Sequence, residues 1–590
     1  MEKDMKKILS LILVLALTLG SMVALTSCGT PKDNGAEIPI YIGEAIYDFD
    51  PTDYYADSNA EEFMSLIFEP LFTINAKGKL KKAAAKKYKV DKDERTITIT
   101  LKESYWSDGV RVKADDYLYA WRNVILDPNN ANPAAALFYD IENAIEVKNG
   151  SLSNSELGIT ASLYEITIKY REGANYEQLL RNLASVATSP IRQDVAANAS
   201  GYWSKNPNTV MTNGPFMIAD ISYDEGVINL KRNVGYHQSP NKKDYDNNVR
   251  PGAINAYFNY TAVEDGVTVE KKISYSDIEN KAVFYMGDAS LADRAAHRGE
   301  ASEVFALSTY TYVFNTQKAP FNNAAVRVAL SVALDRQAMA DAVVFASAAT
   351  GFLSPKAYVS DREGLIYNKS NIEIAQQLID ASNLTAADKT FVLTVNDDEE
   401  SLKIAELAVA CWAQIGFNVT VNPVSTRVTP VKDFSSNEVI DVVDSEIQYL
   451  VKEASYGNVM YDVIAVDWNM YSTDPFVALA SFTSHMNGNG ADFSNSSYSV
   501  RKNISGWSSK NYDELLDNAY YATSESARNS YLKAAEKLLI DESPIIPVLY
   551  KHNASFTSNQ LKKVKIDGLG NVVFTKAKLK NYRDYLTDEE

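Results

Sequence analysis

The side chains that most often carry catalysis or hold metals are scarce in this chain. Its 590 residues include two cysteines, Cys28 and Cys411, and four histidines, His237, His297, His485 and His552. No two histidines have the spacing of metal ligands, and there is no paired-cysteine motif. G-x-S-x-G, a phosphate-binding glycine loop and H-E-x-x-H are also missing, so the commonest nucleophile and metal signatures are absent. No catalytic constellation, no metal and no cofactor is expected. Tyrosine is abundant instead, 36 against 21 phenylalanines. A phenol joins a flat apolar face to one hydroxyl, which suits ligands of mixed polarity and suits an ordinary core equally well. Cys411 lies within Leu402–Ile415, whose apolar spacing is helical, and reads as a small core residue rather than an exposed nucleophile.

Cys28 stands at a different kind of position. Lys3, Lys6 and Lys7 precede an apolar run from Ile8 to Leu25, which ends in Leu25-Thr26-Ser27-Cys28. A cationic start, an apolar middle and small residues before a cut describe a secretory signal. Ser10, Thr18, Gly20 and Ser21 interrupt the run, which is short for the ~20 apolar residues of a spanning helix. With cysteine at the cut, the segment resembles the lipobox of bacterial lipoproteins. That resemblance implies that Cys28 becomes the mature N-terminus and carries lipid. The protein would then work on the extracytoplasmic face of a membrane. Residues 1–27 form the signal peptide in this reading, and 28–37, polar and turn-rich, the tether. An ordinary signal peptide with a chance cysteine is the alternative.

A chain of this length needs two or three cores. The balance of 46% hydrophobic and 23% charged residues is that of a soluble globular protein. A net charge of −18 argues against nucleic acid, whose phosphates require a basic surface. With Cys28 lipidated no intrachain disulfide can form, so stability must come from burial.

Several elements can be placed from pattern alone. Glu61 to Phe68 predicts a helix burying Phe63, Leu66 and Ile67 and stopped by Pro70. Seven lysines fall between Lys77 and Lys89 and read as a solvated face. Thr96 to Leu101 alternates as a half-buried strand, and Tyr117, Trp121 and Val124 recur at helical spacing. Phe391, Leu393 and Val395 form a strand, Leu402 to Ile415 a helix closed by Gly416, and Phe417, Val419 and Val421 a second strand. Strand, helix and strand with short joints predict a parallel pair with a right-handed crossover, so at least one lobe is α/β. Asn322 to Val344 predicts one long helix capped at Asn322 or Asn323. His485 to Ser509, rich in Asn, Ser and Gly, predicts a long loop, either a binding element or disordered.

Six blocks, in order, resemble the oligopeptide-binding family of ABC-transporter substrate-binding proteins. They are Phe68-Glu69-Pro70-Leu71-Phe72; Trp106-Ser107-Asp108-Gly109 with Ala114-Asp115-Asp116-Tyr117 and Trp121; Asn213-Gly214-Pro215-Phe216 with Arg232, Asn233 and Tyr236; Thr309 to Arg336; Tyr461-Asp462 with Trp468 and Asp474-Pro475; and Tyr512-Asp513 with Pro544-Ile545-Ile546-Pro547. Most have plain scaffold readings. Gly109 closes a turn at positive φ, and Pro544 and Pro547 demote their strand to an edge or crossing position. The resemblance implies an α/β, two-lobed fold of the periplasmic-binding-protein type (type II, cluster C), with an additional small domain and a ligand cleft at the lobe interface. It places lobe I at 38–82, 206–308 and 547–590, the additional domain at 83–205 and lobe II at 309–546. It implies a monomer that binds a peptide and delivers it to the permease and ATPase subunits of an ABC importer. The alternatives are a receptor for another solute (a glycan fragment, a modified peptide or a metal chelate) and a peptide sensor without transport.

In such relatives a peptide lies extended between the lobes, and an aspartate after the tryptophan of the fifth block holds its free amine. Here that position, counted from Trp468 and checked against Asp474-Pro475, carries Tyr471, which offers an ammonium only a hydrogen-bond acceptor. Either Asp467 or Asp474 supplies the charge from a shifted backbone, or the ligand has no free amine there. The resemblance assigns ligand contacts to Tyr471, Trp468, Asn469, Met470 and Asp474. It adds Ser58 and Asn59 within Ala56–Asn59, and Tyr310 and Tyr312, which share one face of their strand.

Overall fold

The computed structural model describes residues 35–580, apart from 55–57, 198–201, 208, 243–246, 265–266, 277–283, 286–288, 358–363, 433–438 and 495–498. Cys28, the signal segment and most of the tether lie outside the described residues.

The alternating segments form strands, and both lobes contribute to one twelve-stranded sheet. Asn418–Val424, Thr390–Asn396, Val463–Asn469 and Ser308–Phe314 make its second-lobe end. Glu37–Tyr41, Ala253–Tyr257, Val227–Arg232 and Phe216–Ser222 make its first-lobe end. Ile545–Thr557 lies between them. Its first residues pair with Ser308–Phe314, and Phe556 and Thr557 pair with Tyr285 and Phe284. The prolines therefore mark a crossing strand. Pro547 sits where the register slips between Tyr310 and Thr311, a bulge at which a missing N–H is tolerated.

The strand–helix–strand unit is present. Thr390–Asn396 and Asn418–Val424 pair in parallel around the helix Glu399–Ala413. Asp398 caps that helix by accepting from Ser401 N at 2.8 Å, and Gly416, at φ +84°, turns the chain after it. Cys411 is buried in the second-lobe core with Trp412, whose indole N–H donates to Leu330 O at 2.8 Å. A separate four-stranded sheet, Ala85–Asp91, Thr96–Leu101, Glu165–Lys169 and Ile159–Ser162, forms the heart of the additional domain. Ile97, Ile99 and Leu101 point inward there, while all seven lysines of 77–89 are exposed. The helix predicted before Pro70 spans Ser58–Ile67 and buries Phe63, Leu66 and Ile67. Tyr117 lies on the helix Ala114–Tyr119, and Trp121 on the wider turn Ala120–Ile125 that continues it.

One expectation needs correction, and one is made more specific. The single helix predicted over Asn322 to Val344 is two, Ala324–Val332 capped by Asn323 and Arg336–Val343 capped by Asp335. Asp335 captures Ala338 N at 2.9 Å and starts a new helix where periodicity alone continues the old one. The segment 485–509 is closed by its own asparagines in the described residues. Asn487 donates to Thr483 O and Arg501 O, Asn489 to Lys502 O, and Asn503 to Phe482 O and Trp507 O. Its polar composition ties a loop together.

The break at Asp335 turns Arg336 inward. Its side chain is fully buried and donates to Pro547 O at 2.8 Å, Ser331 O at 2.9 Å and Ser331 Oγ at 2.9 Å. Arg327 donates to Phe321 O, Glu542 O and Ser543 O, at the end of the helix Glu525–Glu542 that precedes the crossing strand. Both arginines thus supply donors to carbonyls that would otherwise be buried without partners. Arg336→Ala is expected to lower the unfolding free energy by about 3–5 kcal/mol, with Arg336→Lys recovering part of it. Urea unfolding checks this, and a loss below about 1 kcal/mol would show that the guanidinium does not hold the strand.

Candidate ligand-binding site

The strand Val463–Asn469 delivers the fifth block to the junction of the lobes, and its alternation sorts the residues. Trp468 turns into the second lobe, stacked on Phe482 at 4.8 Å and edge-on to Phe352 at 5.7 Å. Met470 is fully buried, with its sulfur 3.4 Å from Ser354 N. These two are packing residues here. Tyr310 and Tyr312 face each other edge-on at 6.0 Å in the second-lobe core, and Tyr312 packs on Trp412. The structure therefore places the tyrosine pair among core side chains. Ser58 and Asn59 begin the helix Ser58–Ile67, but their side chains lie outside the described residues, as do Ala56 and Asp57.

Asn469 and Tyr471 turn the other way. Asn469 Nδ2 donates across the lobe boundary to Glu61 Oε2 at 2.6 Å, and its Oδ1 accepts from Tyr471 N at 2.7 Å. Tyr471 adopts φ +55°, a conformation that bulky residues seldom take and that surrounding contacts must enforce. Its ring packs at 5.0 Å on Tyr54 of the first lobe. Ser472 Oγ donates to Asn182 Oδ1 at 2.8 Å, which brings in the additional domain. All three parts of the molecule meet within these few residues.

Beside this seam lies a cavity of about 770 Å³, a volume suited to a small ligand. Asp140, Arg171 and Asn182 of the additional domain line it, facing Lys356, Asp474 and Arg528 of the second lobe. Its charges are largely matched in pairs, Arg171 with Asp140 at 2.7 Å and Arg528 with Asp474 at 2.9 Å. Asp474 also caps the helix Pro475–Ala480 through Phe476 N. Asp467 faces Lys551 at 3.9 Å, and the same lysine reaches Glu400 at 3.3 Å. The two aspartates that could replace the missing one are both already engaged by cations.

Sequence reading missed Glu61. An acidic residue in a first helical turn is ordinary, and nothing local marks this one. Glu61 Oε1 is buried and has no hydrogen-bond partner among the described residues. Burial pushes its carboxyl up to about 7, against the pull of Asn469. Burial and the neighbouring Glu61 push Glu62 up to about 8. Burial also raises Asp567 and lowers Lys356. Asn553 donates to Glu62, and Lys356 Nζ donates to Leu569 O at 3.0 Å. The seam thus gathers three carboxyls around a single lysine.

The family profile of the bacterial extracellular solute-binding proteins, family 5 middle, matches residues 79–490. The chain belongs to that family. Proteins of this family are binding proteins rather than enzymes. Similar curated proteins include the periplasmic murein peptide-binding protein MppA of Escherichia coli strain K12, 26% identical over 86% of this chain and 87% of that protein. The periplasmic oligopeptide-binding protein OppA of Haemophilus influenzae is 24% identical over 92% of this chain and 93% of its own. The crystal structure of Haemophilus influenzae OppA in complex with RPPGFSPFR covers 93% of this chain and 99% of that one, with a TM-score of 0.72 and 21% identity. The expected two-lobed α/β fold is thereby shown. Among the described residues no helix is long and apolar enough to cross a membrane.

The raised carboxyls set a pH dependence. An acid that holds its proton more tightly when folded stabilises the fold fully below its unfolded value, near 4.3. That contribution fades as pH rises through the folded values of about 7 and 8. The ligand-free protein should therefore melt at a lower temperature at pH 8 than at pH 5, and Glu61→Gln with Glu62→Gln should flatten the slope. Scanning calorimetry across this range decides it; an equal slope in the double variant sinks the assignment.

Proposed function

We propose that this protein is a lipid-anchored receptor that binds an oligopeptide between its lobes and delivers it to an ABC importer. The observation that carries the reading is the junction at Asn469–Tyr471, where one hydrogen-bond chain ties both lobes inside a family of solute-binding proteins. Relatives of similar length are named as peptide-binding proteins, which supports the ligand class. Closure needs only a ligand that prefers the closed arrangement. Lobe I comprises 38–82, 206–308 and 547–590 in this reading, the additional domain 83–205 and lobe II 309–546. The ligand meets Tyr471 and Asn469 directly and Ser58 and Asn59 through main chain. Cys28 carries the lipid and holds a monomer near the membrane subunits at high effective concentration. No bond is made or broken.

Purified, delipidated protein should bind peptides and return them unhydrolysed. Native mass spectrometry of the protein as isolated tests this directly. A retained sugar or metal chelate that peptides fail to displace would overturn the peptide reading. The mature N-terminus should be Cys28 bearing acyl chains, and Cys28→Ser should leave the protein unacylated in the soluble fraction. A wild-type N-terminus elsewhere would remove the anchor from the proposal.

A further inference from the structure

The carboxylate that Tyr471 displaces has a counterpart across the seam. We propose that Glu61 pairs with a cationic group of the ligand, a primary ammonium, from the first lobe; the assignment rests on the peptide-binding reading above.

Four observations converge on this. Glu61 is 5% exposed, and its Oε1 has no hydrogen-bond partner among the described residues. A buried carboxylate oxygen left in that state is costly unless a donor arrives. Its position is the right one, because the Asn469 side chain alone separates its Oε2 from the backbone N–H of Tyr471. A ligand amine directed at residue 471 in a second-lobe frame therefore lies within one amide of Glu61. The alternatives are engaged: Asp474 by Arg528 and a helix N-terminus, Asp467 by Lys551. Finally, the groups that face Glu61 leave negative charge unmatched. Glu62 lies beside it on its own helix. Asp567 and Lys356 come from two other segments, and Lys356 is the single cation of the set. Three carboxyls and one ammonium balance only by taking up protons or by admitting another cation. A ligand ammonium supplies that cation and donates to the vacant oxygen.

The same geometry assigns a different task to Tyr471. Its ring, packed on Tyr54, walls the seam with aromatic surface. Exclusion of water there strengthens the charge pair.

The experiment uses three synthetic pentapeptide libraries: free amino termini without lysine, N-acetylated without lysine, and N-acetylated with one lysine. Binding is measured by native mass spectrometry and calorimetry on wild type and Glu61→Gln. Wild type should bind the free-amine library at least about tenfold more tightly than the acetylated lysine-free one, as expected when a buried charge loses its partner. Glu61→Gln, which keeps an acceptor for Asn469, should lose that preference. Binding should also release protons at pH 6.5, seen as a dependence of enthalpy on buffer ionisation, in wild type and not in the variant. Recovery of binding in the acetylated lysine library would place the ammonium on a side chain; its absence would place it at the peptide terminus. Equal binding of all three libraries by wild type overturns the assignment, and that comparison needs no variant to fold. An undiminished preference in Glu61→Gln also overturns it. Binding of no library overturns the peptide reading itself and the assignment with it.

Discussion

The shared strand Ile545–Thr557 is the constraint on which the rest of this structure depends. It pairs with Ser308–Phe314 at one end and with Phe284–Tyr285 at the other, so both lobes are registered against one piece of backbone. A strand that enters such a position needs a fixed start, and two buried arginines provide it. Arg327 gathers the carbonyls that end the preceding helix, and Arg336 grips Pro547 O inside the bulge. A planar guanidinium serves here because it can bridge several carbonyls in fixed directions. The short helices around Asp335 follow from that requirement, since a continuous helix would not aim Arg336 at the strand.

A second lock lies within the first lobe, and a similar turn within the additional domain. Asn213 pairs with Glu69 twice, accepting from its N–H at 3.0 Å and donating to its C=O at 2.9 Å. Gly214 allows this approach, for a Cβ there would stand 2.4 Å from the backbone carbon of Ile67. Trp106 donates to Asp116 at 3.0 Å, and Gly109, at φ +84°, closes the turn between them. The recurrent blocks therefore mostly build joints. Between these joints Asn469 links Glu61 to the backbone of Tyr471.

Electrostatics at this meeting point is uneven in charge. Bringing Glu61, Glu62 and Asp567 together with Lys356 removes more negative than positive charge from water. This buried cluster accordingly favours protons or a cation. The acidic balance of the whole chain, −18, sets the same tendency at long range.

What depends on neighbours within a few residues could be read directly from the residue order. Strand alternation at Thr96–Leu101, the parallel unit around Glu399–Ala413 and the proline-marked crossing strand were all legible, because side-chain periodicity and turn chemistry act locally. Block order also disclosed the two-lobed class. Which side chains are buried as packing emerged only from the folded chain. Trp468 and the tyrosine pair Tyr310 and Tyr312 look like ligand surface in sequence, yet they fill the second lobe. Asp335 ended a helix that periodicity would have continued. Glu61 looked like an ordinary helix-start acid, and its partner Asn469 lies 408 residues away. Burial and charge pairing are properties of such distant encounters, and no local pattern encodes them.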